Sequence, residues 1–228
     1  MRSHRGAVCA LAFLGLGCGT SPQVVEADAG DAGSLDAATT DAGSEVPPFA
    51  QSVVSFTPGT GAGFGQDRFP DIVLGPPVGA GSTSGSIDVL SLGEGGEIVL
   101  GFGSLEIVDG AGPDFIVFEN PFGGWIETGI VAVSEDGASW SEFPCAAEDK
   151  AGGYPGCAGV RSVSMAPDGG FSFTDPAVAG GDPFDLAQLG VARAKFVRIR
   201  DSGKNTYRAP GGGFDLDAVS VIHSQATP

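Results

Sequence analysis

The stretch Gly129-Ile130-Val131-Ala132-Val133-Ser134-Glu135-Asp136-Gly137-Ala138-Ser139-Trp140-Ser141-Glu142-Phe143 carries the fold in miniature. An apolar run of strand length stops at Asp136-Gly137, the pair best able to adopt the positive backbone angles of a tight hairpin turn, and a second run returns from Ser139. The same alternation of short apolar runs with Gly, Pro, Asp and Asn extends outward from Phe49 to the C-terminus. Candidate strands are 52–56, 72–74, 86–92, 97–102, 105–108, 114–119, 129–134, 139–143, 160–165, 170–174, 195–201 and 214–222. Helical periodicity is weak and confined to 183–189. No repeat period is visible, which argues against a propeller or solenoid. The sequence predicts an all-β protein, an antiparallel jelly-roll β-sandwich over residues 50–228, with the 39 glycines of the chain serving tight corners.

The N-terminus is of another kind. Arg2 and Arg5 precede an apolar stretch at 7–16 that is too short to span a bilayer but suits the core of a signal peptide over residues 1–17. Residues 18–49 are small and polar, and from 19 to 49 they hold six acids and no base. Such a segment cannot bury enough apolar surface to offset its chain entropy, so a disordered tether is expected, extended by its like charges and ending at Pro47-Pro48. Leu14-Gly15-Leu16-Gly17-Cys18 resembles the lipobox of bacterial lipoproteins. The resemblance implies that Cys18 is acylated and becomes the mature N-terminus, where several acyl chains anchor far more durably than one. Ordinary cleavage near Thr20 is the other reading. Gly19 stands where aspartate is associated with inner-membrane retention, so the resemblance further implies a lipid-anchored outer-membrane protein, facing either the cell surface or the periplasm.

Removal of the signal leaves 28 acids against nine bases. Phosphate binding needs clustered cations, so nucleic acid is not an expected partner, and the bases at 193–208 read as a solvated strand face with acidic neighbours. An acidic surface of this kind attracts divalent cations. Once Cys9 leaves with the signal and Cys18 takes lipid, Cys145 and Cys157 remain. In an oxidising compartment such a pair is expected to form a disulfide, worth about 3 kcal/mol through the closed loop.

Val133-Ser134-Glu135-Asp136-Gly137-Ala138-Ser139-Trp140 resembles the hairpin of discoidin-type, galactose-binding-like domains. Residues 194–201, Ala-Lys-Phe-Val-Arg-Ile-Arg-Asp, and 213–219, Gly-Phe-Asp-Leu-Asp-Ala-Val, are similar to the two closing strands of that fold. The segments 91–100 and 113–122 resemble bacterial cell-surface proteins built on the same jelly roll. The resemblance implies that Trp140 fills the core. It fixes no function, because such domains host sugar binding, lipid binding, adhesion and passive structure.

Chemistry-bearing residues are few. His223 is the sole histidine beyond the signal, which removes most triad and zinc chemistry, and it reads as incidental; no catalytic residue is assigned and no enzyme is expected. Oxygen-rich segments suit calcium: Glu119 and Asn120 at a strand end, Asp182 and Asp185 in a tight loop, and Asp215 and Asp217 alternating with Leu216 and Ala218 along a strand. The competing reading makes Asp182 the cap of a helical turn and pairs Asp215 and Asp217 with Arg198 or Arg200. Loop residues Trp125, Asn205, Tyr207 and Arg208 are candidates for ligand contact, Trp125 by stacking on a sugar, although it equally suits covering the sandwich edge. The expectation is a non-catalytic envelope lipoprotein that binds a carbohydrate or protein partner and holds a structural calcium. A passive structural envelope protein and a carboxylate-based glycoside hydrolase are the alternatives.

Overall fold

A computed structural model describes residues 46–164, 172–204 and 211–227. The expected signal segment, most of the tether, Cys18, and the loop residues Asn205, Tyr207 and Arg208 lie outside them.

The described residues form an all-β, antiparallel sandwich. One sheet orders β1 (Ser52–Thr57), β3 (Glu97–Gly101), β10 (Phe196–Asp201), β6 (Gly129–Ser134) and β7 (Ser141–Glu142). The other orders β2 (Leu90–Ser91), β11 (Asp215–Val221), β5 (Phe115–Glu119) and β8 (Asp182–Phe184). A small third sheet joins β12 (Ser224–Ala226), β4 (Leu105–Val108) and β9 (Arg193–Ala194). Chain neighbours β2 and β3, β5 and β6, and β10 and β11 lie in different large sheets, the crossing habit of a jelly roll.

The core lies between the large sheets. Ile98, Leu100, Val131, Val133, Val197 and Ile199 from the first meet Leu90, Phe115, Val117, Leu216, Val219 and Val221 from the second, all at most 2% exposed. In β10 the buried Val197 and Ile199 alternate with half-buried Arg198 and Arg200, as a strand with one wet face requires. The four-stranded sheet is different. Its outer face holds a second buried cluster of Ile116, Phe118 and Ala218 with Val163 and Ala179 from a covering segment. Burial on both faces explains the unbroken apolar run Phe115-Ile116-Val117-Phe118.

In β11 the pairing with β5 slips between Leu216, opposite Glu119, and Ala218, opposite Phe118. Asp217 is the extra residue of a β-bulge, so Leu216 faces the main core while Ala218 faces the second cluster. The expected shared face for Leu216 and Ala218 is thereby corrected: one inserted residue reverses the alternation.

Other expectations shift for local reasons. Residues 71–73 make a 3-10 turn (Asp71–Val73), where a strand was expected at 72–74. Residues 182–184 form the edge strand β8, where Pro183 removes no ladder bond that is needed, and the helical signal shrinks to a 3-10 turn at Leu186–Leu189. Of the Asp136-Gly137 pair only Gly137 takes the expected positive angle, at φ 74; Asp136 instead accepts the Ser139 and Ala138 amides at 2.7 and 2.8 Å, which hold its carboxyl down at about 2. Trp140 does not fill the core. Phe143 takes that place at 2% exposure, ringed by Phe115 and Phe184, while Trp140 lies under the Arg198 guanidinium at 4.6 Å. The bases of 193–204 do find acidic neighbours: Arg193 and Lys195 reach Glu106, Arg198 reaches Glu97 and Glu142, Arg200 reaches Glu142, and Lys204 reaches Glu148. Cys145 and Cys157 are bonded to each other.

Candidate functional site

Four strands bring chemistry to one end of the sandwich. β5 ends at Glu119, β10 ends at Asp201, β6 begins two residues after Glu127, and β11 begins at Asp215. Asp201 organises this end. Its carboxylate accepts the Gly95 and Gly203 amides, each at 2.8 Å, and the Phe214 amide at 2.9 Å, so one charge holds three loops and fixes the backbone just before Asp215. Gly213, at φ 77, makes the turn into that strand, and a side chain there would run into the backbone of Gly93 and Glu94.

Between Glu119 and Glu127 the chain makes an excursion that closes through the Trp125 amide donating to the Phe122 carbonyl at 2.9 Å. Phe122 and Trp125 stand 37% and 52% exposed at its tip. The outgoing limb is held by its neighbours: the Asn120 side-chain amide donates to the Ser86 carbonyl (2.7 Å), the Ser162 hydroxyl to the Pro121 carbonyl (2.7 Å), and the Gly123 amide to the Ser82 carbonyl (3.1 Å). The return limb leads into Glu127.

Beneath the hairpin, carboxylate oxygens of Glu119, Glu127 and Asp215 all lie within 4.8 Å of one another. Glu119 is 1% exposed and Glu127 7%. Glu119 Oε2, Glu127 Oε1 and Asp215 Oδ1 are buried and have no hydrogen-bond partner among the described residues. Nor does any described lysine or arginine form an ion pair with the three. Loss of water, reinforced by the charges of Asp215 and Glu127, pushes the Glu119 carboxyl well up. Burial, then Asp215 and Asp201, pushes Glu127 up to about 9, and burial with Asp201 pushes Asp215 to about 6. Three ionised carboxylates cannot stay this close and this dry without a cation. Oxygens bound to one calcium at about 2.3 to 2.6 Å lie at most about 5 Å apart, so the observed spacing fits a shared ion. No family model and no curated protein matches the sequence.

Of the six residues expected to hold calcium, the fold brings Glu119 and Asp215 together and adds Glu127, which sequence reasoning missed. Asn120 is engaged with Ser86. Asp182 is 6% exposed and accepts the Gly159, Val160 and Arg161 amides at 2.8, 2.9 and 3.4 Å; burial raises its carboxyl to about 6 against the pull of those amides. Asp217 accepts the Val78 amide at 2.9 and 3.1 Å, and burial raises it to about 7. Asp185, not Asp182, caps the 3-10 turn, taking the Ala187 amide at 2.9 Å. Asp215 and Asp217 do not meet Arg198 or Arg200, which sit in the other sheet and pair elsewhere. Asp185 also gathers with Asp109 and Asp114, but Asp114 is already served by the Gly110 and Leu186 amides at 2.8 and 2.7 Å and by His223 at 2.9 Å. Those donors make that group a structural knot.

Proposed function

We propose that this chain is a non-catalytic cell-envelope lipoprotein whose sandwich captures a carbohydrate at its loop end and holds a structural calcium ion among Glu119, Glu127 and Asp215. The observation that carries the reading is the exposed Phe122–Trp125 hairpin rooted on a cluster of the buried Glu119 and Glu127 and the half-buried Asp215, none of them paired with a described base. An indole offers a flat apolar face to the C–H side of a sugar ring, and a loop on a rigid scaffold can present it without disturbing the core. Hard carboxylate oxygens with no competing base suit calcium. A glycoside hydrolase is less well supported, because a sugar would have to touch two carboxyls and, of this cluster, Glu119 and Glu127 are nearly sealed from solvent.

A glycan array run on the intact protein tests the ligand. Retained glycans should lose at least about tenfold in affinity with Trp125→Ala, roughly what loss of one stacking aromatic costs. Equal retention by the variant, or retention of nothing by either protein, counts against the reading.

Outer-membrane attachment rests on the N-terminal sequence. Cys18→Ser should move the protein from the membrane fraction to the soluble one. A wild-type protein without lipid mass, in membranes to the same extent as the variant, would overturn the anchor.

A further inference from the structure

Along one flank of the sandwich, by the β7 and β8 edges of the two large sheets, lies a cleft of about 290 Å³. The buried rings of Phe143 and Phe184, in edge contact at 4.9 Å, form its floor, and the loop closed by the Cys145–Cys157 disulfide stands beside it. Polar groups reach it from three segments: Tyr154 from the disulfide loop, Arg161 from just beyond that loop, and Gln188 from the 3-10 turn. Packing does not account for two of them. Tyr154 is the only described residue other than glycine with a positive φ, at 55. Glycine or asparagine would take that backbone with less strain, so the phenol ring is there in spite of the backbone. The loop holds it through the Tyr154 amide on the Asp149 carbonyl (2.9 Å) and the Cys157 amide on the Tyr154 carbonyl (3.2 Å). Arg161 is exposed. Arg68, Arg193, Lys195, Arg198, Arg200 and Lys204 all form ion pairs; Arg161 and Lys150 form none among the described residues, and of the two it is Arg161 that lines this cleft. Asp182, the one acid in the lining, attracts the guanidinium without pairing with it and accepts three backbone amides instead.

We propose that this cleft binds a sugar carrying one carboxylate, a uronic acid unit of a glycan, with Arg161 on the carboxylate, Tyr154 against the ring and Gln188 on a hydroxyl. The site is separate from the Phe122–Trp125 hairpin, neither of whose aromatics lines it, and the proposal does not rest on capture there. A guanidinium presents a planar fork that matches a carboxylate with two parallel hydrogen bonds. A phenol has a flat apolar face and a polar tip, which suits a ring with C–H groups on one side and hydroxyls at its edge. The volume stands at the lower end of small-molecule sites and takes a single ring. Charge narrows the ligand further. One unpaired cation in a chain of net charge −17 can neutralise one carboxylate, whereas a polyanion meets repulsion from the acids around it. A peptide fits less well, since Pro183 leaves the free edge of β8 without an N–H for a strand added there.

Titration calorimetry on the full chain tests this with the methyl glycosides of glucuronic and galacturonic acid, those of glucose and galactose, and an acetylated tripeptide with a free C-terminal carboxylate. One uronoside should bind at least about tenfold more tightly than its neutral counterpart and than the peptide, which is what a charge-assisted pair is worth. Arg161→Gln should lose that preference, while Lys150→Gln, which removes the other unpaired base, keeps it. Tyr154→Asn, which the backbone at that position tolerates, should weaken the uronoside and its neutral counterpart alike, by about tenfold, and leave their ratio unchanged. Uronosides bound no better than the neutral sugars, or bound equally well by the Arg161→Gln protein, overturn the proposal, as does a protein that binds no sugar at all. A peptide bound as tightly as the uronosides overturns it too and assigns the cleft to protein carboxylates.

Discussion

Chelation should lower the melting temperature of the protein by about 8 to 16 °C from its value at free calcium a thousandfold above the dissociation constant. An ion that binds only the native state stabilises by about 4.1 kcal/mol at that excess, and each kcal/mol moves the melting point of a domain this size by about 2 to 4 °C. The variants sharpen the expectation. In chelator near neutral pH the Glu127 carboxyl, raised to about 9, is already neutral, so Glu127→Gln should melt close to the wild type; in calcium it should melt below, because it removes a ligand. A deficit confined to calcium is not expected of a substitution that merely damages packing. Scanning calorimetry in the two conditions decides it, and a variant displaced the same way in both would sink the metal assignment. Asp182→Asn should melt lower in both conditions, since it weakens an acceptor of the Gly159, Val160 and Arg161 amides and leaves the calcium dependence in place.

The second large effect is a loss of stability with rising pH in chelator. The Glu127 carboxyl stands at about 9 in the folded protein against its ordinary 4.5, and Glu119 is raised as well. Between those limits the native state binds more protons than the unfolded one, so stability falls as pH rises. The contribution is complete below pH 4.5 and is lost progressively toward pH 9, on the order of several kcal/mol, or roughly 10 °C in melting temperature. Bound calcium would take the place of those protons and flatten the curve. Melting followed from pH 5 to pH 9 in chelator and in calcium reads this directly, and a chelated protein whose melting point is level or rising over that range would contradict the buried-carboxylate account. Asp136 acts oppositely but weakly, being exposed: its lowered carboxyl favours the fold above its ordinary range and ceases to do so only toward pH 2.

How much of this was legible in the sequence depends on the range over which each feature is specified. The Asp136-Gly137 turn, the alternating β10 and the apolar β5 are local, and their patterns read correctly because periodicity and turn chemistry act over a few residues. Glu119 and Asp215 were legible as acids at strand ends. Glu127 was not, because an acid in a glycine-rich loop looks like any solvated charge until the loop is closed and its roots are seen to meet. The bulge at Asp217 was invisible for a sharper reason: Asp-Leu-Asp-Ala-Val keeps an acceptable alternation whether or not the register slips, and only the pairing with β5 decides. Asp182 and Asp217 misled because their amide donors come from far along the chain, at 159–161 and at Val78. A buried carboxylate satisfied by distant backbone has the same sequence as one that awaits a metal.

The way the chain enters the sandwich bears on force. The Val221 amide donates to the Pro48 carbonyl and Phe49 bridges Ser220, so the polypeptide joins the domain at the C-terminal end of β11, whereas Asp215 and the hairpin lie at the opposite end of that strand, about 20 Å away at the usual strand rise. β1 then runs toward the hairpin end, paired along its length with β3. A pull between Val46 and the hairpin end would therefore be directed along the strands, and would load the ladder between β1 and β3 in shear. Its hydrogen bonds must give way together and not one after another as in a zipper, so the domain is built to keep hold under tension applied lengthwise.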